Sequence, residues 1–293
     1  MTEGKIIKAL SGFYYVQTNN EVLECRGRGL FRKKNITPLV GDLVVLERTE
    51  DQKGYITEIK PRKNKLDRPP IANIDQGLIV CSATMPDFSA TLLDRFLVLV
   101  ESKHITPIIV ITKIDLLDDD ELENIQHVKQ MYEEIGYDVE LVNASAGSDL
   151  SNLEKYFANK ITTIIGQSGV GKSSLLNAIH PSLEIKTDEI SVSLGRGKHT
   201  TRHVELIEIG GGLVADTPGF SLLDLDEIEA EELAMYFPEM NEIQHACRFR
   251  GCLHHKEPHC AVKQAVEDKT INQQRYNHYL HFLNEISLRK PRY

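Results

Sequence analysis

The sequence predicts a multi-domain chain: a small β-barrel at the N-terminus, a central α/β region on a mostly parallel sheet, and a mainly helical C-terminal part around a knot of cysteine and histidine. Three observations predict this. The first ~65 residues hold short apolar runs of period two. Residues 69–228 alternate buried-type strands with helical patterns. Three of the five cysteines, Cys247, Cys252 and Cys260, crowd into 14 residues. The expected boundaries are 1–68, 69–228 and 229–293.

In the first part the runs are "GKIIKALSGFYYVQT", "EVLECRGRG", "GDLVVLERT" and "KGYITEIKP", punctuated by Gly, Asn and Asp. Four or five short strands with basic loops suggest a barrel of the OB-fold type, an architecture that often binds nucleic acid on one face. The loop "RGRGLFRKKN", Arg26 to Asn35, carries Phe31 among its basic residues and is a candidate nucleic-acid contact.

The middle part begins with "QGLIVCSA", a buried-type strand, followed by "SATLLDRFLVLVESK" with helical apolar spacing. Next come the strand in "TPIIVITKIDLL" and a helix in "DDDELENIQHVKQMYEEIG" with an acidic first turn, as the helix dipole favours. "DVELVNASAG" reads as strand and turn, "KITTIIGQSGVGKSSLLNAIH" as strand, loop and helix, and "VELIEIGGGLVADTPGF" as a hairpin-like pair ending at Asp216. In the last part, "EAEELAMYFPEM" and "CAVKQAVEDKTINQQRYNHYLHFLNEISL" carry helical periodicity.

The 293 residues are 41% apolar, enough for real cores, and no apolar run approaches the ~20 residues of a membrane span. The N-terminus lacks a long apolar segment followed by a small-residue cleavage site, so a soluble cytoplasmic protein is expected. The net charge of -9 argues against a simple nucleic-acid binder. Its distribution adds detail: residues 1–68 sum to +5, 69–228 to -14 and 247–293 to +5. Two basic ends flank an acidic middle, the pattern of two modules facing a polyanion.

Gly166-Gln167-Ser168-Gly169-Val170-Gly171-Lys172-Ser173 satisfies the phosphate-binding loop pattern, between an apolar strand and an amphipathic helix. The glycines let the backbone bend, so N–H groups from Gly169 to Ser174 can point at phosphates. Lys172 would neutralise the β- and γ-phosphates, and Ser173 would ligate Mg²⁺. Asp216-Thr217-Pro218-Gly219 follows about 45 residues later. Its Asp would hold Mg²⁺ and its Gly219 N–H would meet the γ-phosphate. "LGRGKHTTRH" lies between and supplies His199, Thr200 and Thr201. One of the two threonines, here taken as Thr201 with Thr200 the alternative, would close on Mg²⁺ when the γ-phosphate is present.

Guanine-specific loops of this class are accompanied by an [N/T]KxD element after a buried strand. Downstream, "KTD" at Lys186 to Asp188 has no buried strand before it. Upstream, Thr112-Lys113-Ile114-Asp115 ends an apolar strand, and Ser145-Ala146 follows another. The Asp would accept from the guanine N1 and N2 hydrogens, the Lys stem would pack on the ring, and the Ser-Ala backbone would meet the guanine O6. Both base elements therefore precede the phosphate loop, and the domain reads as circularly permuted. A sheet tolerates permutation when its old termini lie close.

Here the chain resembles a known family, the small ribosomal subunit biogenesis GTPases (RsgA). The resemblance covers nearly the whole chain, through the barrel, "ANIDQGLIVCSATMPDFSATLLDRFLV", "TKIDL", "GQSGVGKSSLLNAI", "GKHTTRHVEL", "DTPGF" and the cysteine cluster. One departure is Thr112, where Asn is usual; its hydroxyl is expected to serve. The resemblance implies a GTPase that binds the small ribosomal subunit and its rRNA, assists late maturation, and leaves on hydrolysis. GTP and GDP, Mg²⁺ with the nucleotide, and one structural Zn²⁺ are the implied ligands. A monomer with no membrane partner is expected. The competing reading is a guanine-nucleotide-sensing RNA-binding module whose hydrolysis is incidental.

Many GTPases place Gln just after DxxG to orient water, and here that position is Phe220. The resemblance assigns the water-positioning role to the switch histidine, His199, which joins Lys172 as the expected catalytic pair. In "CRFRGCLHHKEPHC" the spacing is C-x4-C-x-H-x5-C, and three thiolates with one imidazole make a closed tetrahedral site. Spacing alone leaves His254, His255 and His259 open as the fourth ligand. The resemblance selects His254, with Cys247, Cys252 and Cys260. Arg248, Arg250 and Lys256 surround the cluster.

Overall fold

Strand alternation in the first 59 residues closes on itself. In the computed structural model, which describes residues 2–19, 21–29, 31, 36–49, 52–67, 69–143, 150–180, 204–216 and 224–289, five strands form this unit. They are β1 (Thr2–Leu10), β2 (Phe13–Gln17), β3 (Val22–Gly27), β4 (Leu43–Arg48) and β5 (Lys53–Ile59). The first expected run divides at Ser11-Gly12, both at positive φ, giving β1 and β2. The hydrogen-bonded order β1-β2-β3-β5-β4 returns to β1, so the expected five-stranded barrel is present. Ile6, Val16, Leu23, Val44, Leu46 and Ile56 fill it. Phe31 joins this core and is only 8% exposed, so the aromatic of the basic loop anchors it to the barrel. Residues 32–35 of that loop lie outside the described residues.

A short hairpin, β6 (Lys65–Asp67) and β7 (Pro70–Ala72), leads out of the barrel. Gly41 touches it so closely that a Cβ there would stand 2.0 Å from the Ala72 carbonyl oxygen; with φ at +89°, only glycine fits.

The central sheet runs in the order β10 (Asp138–Leu141), β9 (Thr106–Thr112), β8 (Gln76–Ser82), β11 (Ile161–Ile165), β13 (Gly212–Asp216), β12 (Glu205–Ile209). All pairs are parallel except the β12–β13 hairpin, as the sequence pattern predicts. β8 and β11 are buried along their whole length, which explains their uninterrupted apolar runs. β12 also pairs with β1 through Lys8 opposite Glu205, joined by an ion pair of 2.8 Å, so barrel and sheet form one continuous 11-stranded sheet.

Helix α1 (Ala90–Glu101) follows β8, its N-terminus capped by the Ser89 hydroxyl. It is apolar on two faces because it is covered on two faces. Leu93, Phe96, Leu97 and Val100 pack on the sheet, whereas Val98 and Leu99 pack on the C-terminal part. Helix α2 (Asp119–Ile135) opens with a capping box between Asp118 and Glu121 and closes at Gly136. Helices α3 (Ser151–Phe157) and α4 (Lys172–Ile179) contribute Leu153, Phe157, Leu175 and Leu176 to a second core that also holds Val170.

The C-terminal part holds α5 (Pro238–Ile243), α6 (Ala261–Glu267) and α7 (Gln273–Ser287). The long helical pattern expected over 260–288 is broken after Asp268. Lys269 takes positive φ, and the Asn272 side chain caps α7 by accepting from the N–H groups of Gln274 and Arg275. Leu225 and Ile228 share one apolar cluster with Leu233, Phe237, Tyr279 and Phe282. The division expected near 228 therefore runs through this cluster.

Candidate nucleotide site and metal-ligand cluster

β11 is the central strand of the sheet, and the Gly166–Ser173 loop leaves its C-terminal end to start α4. Gly166 has φ +150°, and a Cβ there would lie 2.3 Å from the Val80 carbonyl oxygen, so the loop packs directly on the backbone of β8. Gly169 and Gly171 also take positive φ. The Lys172 ammonium donates to the carbonyls of Gly166 and Gln167, at 2.9 and 2.5 Å. Burial pushes its pKa down to about 8. Ser173 is buried beside it at the helix N-terminus, and Ser174 is half-buried. Gln167, Ser168 and Gly169 are exposed and Val170 is buried. Helix N-termini suit anions because their first N–H groups have no intrahelical acceptor.

The expected base element lies at the same end of the sheet. Thr112 is the last residue of β9 and is fully buried. Its hydroxyl lies 2.6 Å from the Val170 carbonyl oxygen and 3.2 Å from that of Cys81. Lys113 adopts φ +61°, and its ammonium donates to the Gly169 carbonyl at 2.8 Å and to the Met85 carbonyl. Two successive side chains of the expected base element are thus fastened to the expected phosphate loop. Ile114 begins a short helical turn and packs on the core, and Asp115 is exposed in it. Asp216 ends β13, the neighbour of β11, opposite Glu205. The Ser145, Ala146, Lys186, Asp188, His199, Thr200, Thr201, Gly219 and Phe220 positions lie outside the described residues.

In the C-terminal part, the ligand atoms of Cys247, Cys252, His254 and Cys260 all lie within 4.8 Å of one another. His254 Nδ1 is 3.3 Å from the Cys260 sulfur and 3.6 Å from that of Cys247, and those two sulfurs are 3.9 Å apart. A tetrahedral cation with metal–sulfur bonds of ~2.3 Å and metal–nitrogen bonds of ~2.0 Å has edges of about 3.5–3.8 Å. The residues therefore fit a metal ion, and His254 is the imidazole in the cluster, with His255 and His259 exposed outside it. Burial holds the His254 pKa below its ordinary value, which favours the neutral ligand form. Burial, and then the neighbouring thiols, pushes Cys252 up to about 12; three sulfurs this close resist ionising together without a cation between them. The cluster sits on α7: Tyr276 donates to the His254 carbonyl at 2.7 Å and Tyr279 to the Leu253 carbonyl at 2.8 Å.

A buried polar joint that no sequence motif marks ties this module to the central domain. Asp94 of α1 is fully buried and accepts from Tyr132 at 2.7 Å, Arg275 at 2.5 Å and His278 at 2.6 Å. Arg275 also makes two hydrogen bonds to Glu239, at 2.8 and 3.0 Å. Burial works against its charge, but Asp94 and Glu239 outweigh burial and hold it protonated. The one signal available was the Asp94–Arg95 pair inside "LLDRFLVLV", two charges in an otherwise apolar run.

The chain order of these elements is β9 with the expected base element, β11 with the expected phosphate loop, then β13. A model of the RsgA GTPase domain matches residues 59–226, and one of the RsgA N-terminal domain matches 3–56. The chain belongs to the RsgA GTPase family. It is similar over its whole length to the Oceanobacillus iheyensis protein named small ribosomal subunit biogenesis GTPase RsgA 2, with 66% identity and all of both chains covered. It is 59% identical to the Bacillus subtilis RsgA, again with all of both chains covered. Two solved structures resemble it. One is YloQ, described as a circularly permuted GTPase, with 55% identity, a TM-score of 0.87, and coverage of 100% of this chain and 97% of that one. The other is YjeQ from Thermotoga maritima, with 37% identity, a TM-score of 0.88 and 99% of each chain covered. As an RsgA GTPase the chain is a GTP hydrolase, and its nucleotide domain is circularly permuted.

Proposed function

We propose that this RsgA GTPase acts on the small ribosomal subunit during its late maturation and that hydrolysis of GTP triggers its release. The observation that carries this reading is whole-length identity of 66% to a small ribosomal subunit biogenesis GTPase. The flanking charge supports it: the barrel region and residues 247–293 each sum to +5, suited to rRNA, around an acidic nucleotide domain. We keep working units of 1–68, 69–228 and 229–293, with Leu225, Ile228 and the outer face of helix α1 packing across the second boundary into the C-terminal core. We take the acting form to be a cytoplasmic monomer.

Within the site, Asp115 reads guanine, Lys113 and Thr112 hold the base element to the phosphate loop, and Ser145 and Ala146 complete the base contact. The backbone from Gly166 to Ser174, with Lys172 and Gly219, takes the phosphates. Ser173, Thr201 and Asp216 would hold Mg²⁺, which supplies charge neutralisation of the phosphates. His199 orients the attacking water, a role that Phe220 cannot fill. Three thiolates and one imidazole suit Zn²⁺, with Cys247, Cys252, His254 and Cys260 filling every position, so that the metal is structural. Asp115→Asn should move preference from GTP to xanthosine triphosphate, because the donor and acceptor exchange places.

The deciding experiment is the hydrolysis rate with and without small ribosomal subunits. Strong stimulation, lost in His199→Ala by roughly 10²-fold with GTP affinity kept, is expected. An unchanged rate beside tight nucleotide-dependent binding would favour a nucleotide-sensing RNA-binding module.

A further inference from the structure

We infer that Arg248, Phe249 and Arg250 form a base-stacking finger that takes one unpaired base of single-stranded RNA. The inference rests on the ribosomal reading above and assigns it a contact residue. The three residues stand in the four-residue turn between Cys247 and Cys252, closed by Gly251 at φ +68°. Both ends of the turn are residues of the Cys/His cluster, so the turn is short and held from below.

Single exposed apolar side chains are ordinary on any protein surface. Phe249 differs in its surroundings. It is 44% exposed, and Phe13 and Phe31, the phenylalanines of the barrel, are both less accessible. Arg248 lies over its ring, 5.7 Å from the centroid, while Arg250 flanks it on the other side in sequence. Among the described residues neither guanidinium has a carboxylate partner, although the chain carries an excess of acid.

An exposed ring with one uncompensated guanidinium over it and a second on the next residue matches the demands of a nucleotide. The π-face of a base stacks on an aromatic ring without regard to sequence, and the adjoining phosphates need positive charge. An apolar pocket of a protein would gain from the ring but would pay to desolvate both guanidiniums. Paired RNA keeps its bases stacked inside the helix, so an unpaired base is the fitting occupant.

The sequence contains no tryptophan, so Phe249→Trp places a sole reporter at the finger. In the zinc-loaded full chain bound to a non-hydrolysable GTP analogue, adding protein-free RNA from small subunits should quench that emission. Phe249→Ala should weaken binding to intact small subunits by roughly 5- to 100-fold, the range of one base stack. Phe249→Tyr should restore it and Phe249→Leu should not, with metal content and basal hydrolysis unchanged in all. Arg248→Ala with Arg250→Ala should flatten the salt dependence of binding. Wild-type affinity in Phe249→Ala, or rescue by Leu equal to that by Tyr, or no quenching by RNA, would overturn the finger. Failure of the wild type to bind subunits at all would instead overturn the ribosomal reading, and quenching would still decide for Phe249.

Discussion

The Thr112 hydroxyl donates to the Val170 carbonyl across 2.6 Å, linking the end of strand β9 to the middle of the phosphate loop. Both residues are buried. A Cβ on Gly171 would stand 3.5 Å from the same hydroxyl, an ordinary contact distance, so Gly171 also lies beside it. The order of motifs along the chain is permuted, yet this bond joins the expected base and phosphate elements at one end of the sheet.

Thr112→Val keeps shape and removes the donor. The Val170 carbonyl is then left buried without this hydroxyl, a loss of about 1–3 kcal/mol. GTP and GDP affinity should both fall about tenfold, while Thr112→Ser stays near wild type and Thr112→Asn matches or exceeds it. Titration with a fluorescent guanine nucleotide reads this directly. Unchanged affinity in Thr112→Val would mean that Lys113 alone holds the loop.

Much of this site was legible in the sequence because its elements are local. Gly166 to Ser173 is one strand-to-helix turn, and Thr112 to Asp115 is one strand end, so each motif carries its own geometry. The Cys/His spacing was equally local, although choosing His254 over His255 and His259 needed more than spacing. The joint of Asp94, Tyr132, Glu239, Arg275 and His278 was not legible. Its members are up to 184 residues apart, and each reads alone as a surface charge or a polar core residue. The double burial of α1 was hidden for the same reason: one apolar stripe looks like another until its second partner is known. The direction of the Phe31 ring was not legible either: its neighbours in sequence are basic, and the ring turns into the barrel.

Nucleotide affinity should depend on pH through Lys172, whose pKa burial pushes down to about 8. The proposed phosphate contact requires the ammonium. Affinity should therefore be flat below about pH 8 and fall above it, approaching tenfold per unit. The unfolded chain keeps this proton to higher pH, so nucleotide-free protein should gain stability as pH rises from about 8 toward 10.5. Binding measured between about pH 7 and pH 9 tests the first sign, and thermal unfolding without nucleotide tests the second. Affinity that stays flat across that range would place the ammonium outside the phosphate contact.

Arg275→Met should destabilise the chain by about 3–5 kcal/mol, because Asp94 remains fully buried without its cation. The ring faces of Phe237 and Tyr132, 4.8 and 5.5 Å from the guanidinium, lose their contact too. Adding Asp94→Asn to Arg275→Met should recover part of the loss, since the fully buried carboxylate is then gone and only Glu239, at the edge of the joint, is left without its cation. Denaturant unfolding of both variants gives the comparison. A double variant no more stable than Arg275→Met would show that packing, and not charge, makes the joint.

Cys252→Ser removes one ligand from a cluster whose four donors lie within 4.8 Å. Zinc should be lost, and the first consequence is local, because Tyr276 and Tyr279 then hold the 253–254 backbone without the metal beneath it. The second consequence follows from packing. Cys260 shares an apolar cluster with Val98 and Leu99 of α1, so amide exchange should rise over 247–287 and reach the outer face of α1. Its inner face is held by the sheet, and the phosphate loop stands on β8, β9 and β11, so basal hydrolysis should remain within about threefold of wild type. Stimulation by small subunits should fall, because the Arg248–Phe249–Arg250 turn hangs from Cys247 and Cys252. Metal content, amide exchange, and basal and stimulated rates on one preparation decide the matter. Full stimulation after zinc loss would separate the module from subunit contact. Collapse of basal hydrolysis with zinc would instead show that α1 transmits the damage from the C-terminal core to the nucleotide site.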